Sequence, residues 1–571
     1  MTARARLWVR REFSLTQLHG FLLWAGLIGF LGALITAAFG WTQELFGFAL
    51  TGKVGSVTEV SMALAPWQRV AVPLVGSCMA GLILQYGMQL ARGRQSTDYM
   101  EAVSVGDGFI SVRASLVKSA SSICTIGSGG SIGREGAMVQ LAAMIGSSLG
   151  RVLSFPARTR RLLVACGAAA GIASAYNAPL AASVFVSEIL LGSIELESMG
   201  PIIVSAVVAN VTFHQLLGYA PVYQMPMVQL VSPWELLFYL ALGLLAGHLA
   251  PLFLWLLERT RQLFHKLTVP TFFRLTLGGL VVGALSVSNP QVWGNGYSVV
   301  NSILHSPWTW QALLAVLLCK LLATAAMVGS GAVGGVFTPT LFCGAVLGAL
   351  TGTAVHSVWP TLTGPPSAYA VVGMGAFLGA TTHAPLMSIL MVFEMTRQYE
   401  VVLPLMLAAI VADHMARRYG RGKSIYSESL KRAARSEEPF SLLELAHRDE
   451  PLAEPHMKLD ALKRCFAQTS FNYLQVVDGQ GHWVGVVARK ALAEASPESE
   501  AAALIGPDCR ALKVDMSFNE ALEVASQIHS ENLPLVEGVD LRYVGLVTKS
   551  DLLVAVQRQL RQLDKPTPGV S

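Results

Sequence analysis

Up to about residue 432, long apolar runs broken by glycine and proline alternate with short polar joints. Residues 13–43 carry no Asp, Glu, Lys or Arg, and neither do residues 321–393. At about 20 residues per spanning helix, the second run holds several hydrophobic segments, which its Gly and Pro residues divide. The pattern predicts an all-α polytopic membrane protein. After residue 432 the chain turns polar, charged and short-segmented, as in a soluble α/β domain. The expected organisation is a membrane part at 1–432, a linker at 433–454 around Arg435-Ser436-Glu437-Glu438-Pro439, and a tandem α/β unit at 455–565.

The membrane part repeats itself. Gly127-Ser128-Gly129-Gly130-Ser131-Ile132-Gly133-Arg134-Glu135-Gly136 has an altered copy at Gly329-Ser330-Gly331-Ala332-Val333-Gly334-Gly335-Val336-Phe337-Thr338, an offset of 202 residues. Asn177-Ala178-Pro179-Leu180 and His383-Ala384-Pro385-Leu386 form a second pair, offset by 206, each followed by a glutamate, Glu188 and Glu394. Two motifs in order at nearly one offset indicate a duplicated membrane fold. Parallel and inverted arrangements of the halves both fit the spacing.

Composition agrees: 53% of the 571 residues are hydrophobic and 13% charged, where a soluble domain carries roughly a quarter charged residues. The first uncharged stretch is too long for a signal-peptide core, and no short polar cleavage region follows it, so no cleavable leader is expected. Arg4, Arg6, Arg10 and Arg11 precede the first span, and Arg417, Arg418, Arg421 and Lys423 follow the last. The positive-inside rule then places both ends of the membrane part in the cytoplasm. The net charge of +5 is accordingly a signature of topology, with no nucleic acid expected as partner. Seven cysteines are scattered without metal-ligand spacing and read as packing residues. The twelve histidines show no HExxH or comparable arrangement, so no enzymatic centre and no metal are expected.

A glycine-rich stretch leading into an apolar helix leaves unpaired N–H groups at the positive end of the macrodipole. At membrane depth such backbone must be buried in protein or line an aqueous cavity, and its natural occupant is an anion. Thr338 adds a hydroxyl donor. Dipoles, unlike full cations, hold an anion weakly enough to release it. Glu135 is then a tethered anion that competes for the same place and leaves on protonation. A plainer role is to satisfy helix N–H groups or to pair with Arg134.

The quoted motifs resemble the CLC chloride channel and transporter family, in particular its bacterial voltage-gated-type branch. The resemblance spans roughly residues 15–432. It rests on Gly133-Arg134-Glu135-Gly136-Ala137, on Gly335-Val336-Phe337-Thr338-Pro339, on the Asn177 motif, and on Lys423-Ser424-Ile425-Tyr426. It implies a homodimer in the bacterial inner membrane, each subunit with its own anion path between two inverted-topology repeats of broken, tilted helices. It further implies that Glu135 is the external gating glutamate. A chloride ion would be bound by N–H groups around Gly133, Arg134 and Gly136 and around Gly335, Val336, Phe337 and Thr338, with Tyr426 donating its hydroxyl. The plainer reading of Tyr426 is an interfacial aromatic anchor, which its place in the matching motif disfavours. Lys118 would supply positive potential near the path, or serve as a snorkelling lysine.

Three departures from the family pattern bear on mechanism. Ser96-Thr97-Asp98-Tyr99-Met100 replaces the first anion-binding signature; Thr97 stands where a serine hydroxyl normally meets the anion, and Asp98 beside it is unfavourable unless it pairs or points away. Glu188-Ile189 stands where exchangers commonly carry two carboxylates, so the internal proton-transfer glutamate is replaced by isoleucine. Ala137 for proline is a mild change, since proline only preorganises the first helical turn. The leading expectation is a passive chloride channel gated by protonation of Glu135. The alternative is a proton-coupled chloride exchanger with an atypical inner proton path.

The C-terminal part holds two similar units, each an amphipathic helix (Leu459–Gln468; Phe518–Ile528) and two short strands. The second reads Gly545-Leu546-Val547-Thr548-Lys549-Ser550-Asp551 and resembles the CBS-domain pattern, whose Thr and Asp hold an adenosine ribose. By that resemblance Thr548 and Asp551 are nucleotide-binding candidates, a carboxylate accepting from ribose hydroxyls being chemically apt. The first unit has Ala488 and Ala491 instead. A dimer-forming structural pair and an adenine-nucleotide sensor both fit; the membrane part requires no cofactor.

Overall fold

The computed structural model describes residues 18–552 except 92–97, 105, 193–195, 219–222, 226–229, 421, 427–441, 448–449, 470, 497, 507–509, 517, 528–529, 531 and 539. Thr97 and Arg421 therefore lie outside the described residues. The chain divides into two units, meeting at Ala434 and Arg435.

In the first unit, seven helices among the described residues are long and apolar enough to cross a membrane. The elements are α1 (Leu18–Thr51), α2 (Val57–Met62), α3 (Pro66–Leu90), α4 (Tyr99–Ser104), α5 (Val112–Gly127), α6 (Glu135–Val152), α7 (Ala157–Tyr176), α8 (Pro179–Phe185, continuing as a π-helical turn, Val186–Leu191) and α9 (Leu196–Leu217). Then follow α10 (Glu235–Lys266), α11 (Thr271–Ser288), α12 (Tyr297–His305), α13 (Trp310–Ser330), α14 (Phe337–Val358), α15 (Pro366–Thr382), α16 (Pro385–Thr396) and α17 (Val402–Gly420). Proline opens α3, α8, α15 and α16, where its missing N–H costs nothing and its φ suits the helix. Asn177 and His383 end α7 and α15 in the left-handed region, at φ 57° and 59°.

The halves are inverted, as close helix contacts show. α3 and α11 cross antiparallel: Gly81 meets Phe272, Gly279 meets Ser77 and Gly283 meets Val70. α5 runs back along α3, from Val117 beside Gly87 to Cys124 and Ser128 beside Gly76. α13 runs back along α11, from Cys319 beside Asn289 to Ser330 beside Gly278. Since α3 and α11 are opposed, α5 and α13 reach the same level from opposite sides. There both helices break, and the loops that follow meet. Gly133 and Gly335 exchange two backbone hydrogen bonds of 2.8 Å each. That pairing aims α6 and α14 away from a shared point.

Glycine permits the tight packing around this centre, as expected where lipid supplies no hydrophobic drive between helices. Gly344 on α14 and Gly373 on α15 face each other so closely that a Cβ on either would enter the other's carbonyl. α6 and α7 repeat the arrangement with Gly146 against Leu163.

In the second unit, α18 (Leu459–Ala467) packs on the antiparallel pair β1 (Tyr473–Val477) and β2 (Trp483–Ala488), with α19 (Ala491–Glu494) following. β3 (Leu512–Lys513), α20 (Phe518–Gln527), β4 (Asn532–Glu537) and β5 (Arg542–Thr548) repeat the theme, with β3 parallel and β5 antiparallel to β4. The segment read from sequence as linker 433–454 needs correction at its downstream end. His447 and Leu546 exchange backbone hydrogen bonds of 2.8 and 2.9 Å, Leu442 is buried, and Ala453 pairs with β1. The folded unit thus begins at or before Leu442. A non-periodic segment completes a sheet edge by backbone bonding alone, which residue pattern does not report.

Replacing Gly373 by Val should destabilise the membrane unit by about 1–3 kcal/mol, the usual cost of overpacking. A lowered unfolding temperature of the detergent-solubilised protein checks it; an unchanged one would show that α14 and α15 are not held at this spacing.

Candidate functional site

The loop crossing sets a carboxylate on a helix end. Glu135, first residue of α6 and only 6% exposed, reaches across to the second half and accepts from the N–H of Thr338 at 3.1 Å and from its hydroxyl at 3.0 Å. It therefore lies on the N-terminus of α14, where free N–H groups and the macrodipole favour negative charge. A Cβ on Gly133 or Gly335 would run into the Glu135 carboxylate, so glycine at both positions makes room for it.

Thr338 spends its own proton on Glu135, and its oxygen lies 3.3 Å from the phenol of Tyr176 and 3.5 Å from that of Tyr297. These phenols act as donors behind the threonine. Neither was singled out in the sequence, because no local signal ties an isolated tyrosine to a helix 162 residues away.

A cavity of about 490 Å³ opens from this point. Glu135, Gly136, Gly335, Val336, Phe337, Tyr176 and Tyr426 line it, together with Lys118 and Asp98. Tyr426 is steadied by an edge-on contact with Phe185, ring centres 5.6 Å apart. Arg261, His265 and Arg274 add a basic rim. Lys118 lies within Coulombic reach of Asp98, while the Tyr99 N–H beside it donates to Gln140 Oε1 at 2.9 Å. Arg134 occupies the N-cap position of α6.

Glu188 and Ile189 are not among the residues lining the cavity. Both belong to the π-helical turn after α8. The Glu188 carboxylate accepts from the N–H of Met387 at 3.0 Å, at the start of α16. Its twin Glu394 accepts from Leu180 and Ala181 at 3.0 and 2.8 Å, at the start of α8. The two glutamates cap each other's helices, while Ile189 packs into the apolar core.

One further buried charge escaped the sequence reading. Lys320 is fully buried, donates to the carbonyls of Val292 and Gly294 at 3.0 and 2.6 Å, and lies 5.3 Å from the centre of the Phe342 ring. The 202-residue offset maps Lys118 onto Lys320, and that correspondence was the available signal.

In the second unit, Thr548 donates its hydroxyl to Asp551 Oδ2, as does its N–H at 3.0 Å; the Asp551 N–H returns to the Thr548 oxygen at 3.0 Å. His447 Nε2 lies 3.0 Å from the same carboxylate oxygen. Partial burial pushes the Asp551 carboxyl up, but these hydrogen bonds prevail and hold it below the usual carboxylate range. An adenosine ribose would have to share Asp551 with His447 or displace it.

Two inverted halves of broken helices, crossing where a carboxylate sits on a helix N-terminus beside a polar cavity, define an integral membrane protein with a centre suited to anions. The chain belongs to the voltage gated chloride channel family, whose model matches residues 75–417. A putative chloride channel protein ClcB-like from Ralstonia nicotianae is 56% identical over 412 residues, covering 72% of this chain and 96% of that relative. The voltage-gated ClC-type chloride channel ClcB of Salmonella typhimurium is 43% identical over 413 residues, 71% of this chain and 98% of that one. Among solved structures, a slow cyanobacterial Cl−/H+ antiporter superposes with a TM-score of 0.65 at 25% identity, covering 73% of this chain and 98% of its own. A eukaryotic CLC transporter shares the fold over 93% of this chain and 97% of its own, with a TM-score of 0.61 at 19% identity.

Proposed function

We propose that the protein is a passive chloride channel of the bacterial inner membrane, gated by protonation of Glu135 from the external side. The observation that carries this reading is the Glu135 carboxylate on the N–H and hydroxyl of Thr338. A tethered anion there competes with chloride, and neutralising it gives up the place. Gly335, Val336, Phe337 and Tyr426 surround the vacated space, and Lys118 contributes positive potential; Thr97 is a further candidate ligand. The subunit pairs as a homodimer in lipid, with both ends of the membrane part cytoplasmic, in keeping with Arg417 and Arg418 at the end of α17.

Channel rather than exchanger is favoured by the inner end. Ile189 cannot carry a proton, and Glu188 is committed to the N-terminus of α16. The exchanger reading draws on the antiporter likeness, and would need protons to cross by water or by another side chain. In liposomes holding a chloride gradient, the channel moves chloride without driving protons uphill. Uphill proton movement locked to chloride flux would sink the channel reading.

Glu135→Ala should raise chloride flux and flatten its dependence on external pH; acid activation retained in that variant would mean that another group gates. Gly335→Ala tests whether carboxylate and chloride share one place. The methyl would stand 2.5 Å from the present position of Glu135 Oε1 and fill that space, weakening chloride binding about tenfold, an overlap cost of order 1–3 kcal/mol. The defect should persist in the Glu135→Ala background. Recovery to the level of Glu135→Ala alone would separate the two sites.

The α/β unit is proposed to take an adenine nucleotide at Thr548 and Asp551. Calorimetric titration of ATP and AMP into the full chain should show binding that Asp551→Ala removes; heats unchanged by that substitution would leave the unit a structural pair.

A further inference from the structure

His383 takes the place in the second half that Asn177 takes in the first, with the same left-handed backbone, φ 59° against 57°. Its side chain is 9% exposed and both ring nitrogens are engaged. Nδ1 lies 2.8 Å from Asp413 Oδ1, and Nε2 lies 3.0 Å from the carbonyl oxygen of Lys423. Both partners are acceptors only. An imidazole with two acceptors can satisfy both only as the imidazolium, donating from each nitrogen. Arg417 completes the cluster, donating from Nε to both Asp413 oxygens at 3.0 and 2.9 Å and from a terminal nitrogen to the His383 carbonyl at 2.7 Å.

The cluster belongs to one half alone. The 206-residue offset maps Asp413 and Arg417 onto Val207 and Val211, exposed apolar side chains. The departure from symmetry falls where the chain leaves α17 and turns back to the cavity. There, Lys423 precedes Tyr426 by three residues, and the segment is fixed to the end of α15 at two points. One is His383 to Lys423; the other is the Ile425 N–H to the Thr381 carbonyl, 3.0 Å.

We infer that His383, as an imidazolium clamped between Asp413 and the Lys423 carbonyl, is the positioning residue for Tyr426, and that losing its proton loosens the Tyr426 segment. A neutral ring keeps its proton toward the carboxylate, the stronger acceptor. Nε2 then presents a lone pair to the Lys423 oxygen, and that tie is lost. The charged groups facing His383 are Asp413 and Arg417 on α17. Glu188, on the turn after α8, is within Coulombic reach of Asp413 and Arg417. The consequence for chloride rests on the proposed role of Tyr426; the tie itself does not.

The test uses the full chain with Glu135→Gln, which removes the proposed gating carboxylate from the path. Hydrogen–deuterium exchange of residues 422–426, corrected for intrinsic rates, and chloride affinity are measured from about pH 5.5 to 8.5, where histidine changes charge. Exchange should rise about tenfold across that range, as expected for a charge-assisted hydrogen bond lost, while chloride affinity falls. With His383→Asn, the residue the first half uses, exchange is high throughout. With His383→Arg, whose charge is permanent and whose residue type already adopts left-handed backbone at Arg397, exchange stays low. An exchange step without an affinity change supports the tie and removes Tyr426 from the chloride site. No step in the parent, or a step surviving in His383→Asn, overturns the inference.

Discussion

The reciprocal backbone pairing of Gly133 with Gly335 is the constraint on which the rest depends. Two helices that stop at mid-depth leave N–H and C=O groups that lipid cannot satisfy. Pairing the two loops to each other, 2.8 Å in both directions, satisfies one donor and one acceptor from each. It also fixes the distance between halves that approach from opposite faces. Only residues without a Cβ allow the Glu135 carboxylate to lie against this crossing. The same two glycines therefore join the halves and admit the charge. A change that separated the loops would cost structure and function together, which is why fold and site cannot be assigned to different parts of this unit.

Given a two-fold frame, function resides in its violations. Glu135 has Phe337 as its counterpart at the 202-residue offset, so one half contributes a carboxylate and the other the helix end that receives it. Lys118 lines the cavity, whereas its counterpart Lys320 is buried against two carbonyls and an aromatic ring. A buried ammonium is costly unless its hydrogen bonds are met, and Lys320 meets two of them by tying the middle of α13 to the Val292–Gly294 turn. Glu188 and Glu394, by contrast, keep the symmetry and cap each other's helices. At Glu188 and Glu394 the repeat is obeyed and the residues hold structure; at Glu135 and Phe337 it is broken and both line the cavity.

Legibility in the sequence follows the range of the interaction. The broken helices, the duplication and the candidate glutamate are local or periodic features, visible as glycine runs and as fixed offsets. The inversion of the halves was open from spacing and entered only through resemblance; it becomes plain from which glycine touches which helix. Tyr176 and Tyr297 behind Thr338, the burial of Lys320, and the His383 cluster join residues tens to hundreds of positions apart, and no periodicity encodes such meetings. The downstream end of the linker was misread for a related reason, since His447 and Ala453 pair with β5 and β1, in two different sheets, through backbone bonds that any sequence can make. Asp98 shows the converse: its charge looked out of place in the sequence, and Lys118 lies within Coulombic reach of it.

The inner proton step is where these strands converge. Ile189 removes a carboxylate at that position, and the neighbouring Glu188 offers an obvious substitute. Geometry argues against the substitution. A carboxylate that accepts from the first turn of α16 is tied to that helix end, and withdrawing it to carry a proton would uncap α16. Its twin Glu394 makes the equivalent bonds to α8, so the pair forms one structural motif, and neither glutamate lines the cavity. Asp98 does line the cavity, with Lys118 within Coulombic reach of it. Glu188, Glu394 and Glu135 each sit on a helix end contributed by the opposite half, and of the three only Glu135 lines the cavity, the position that the proposed gate requires.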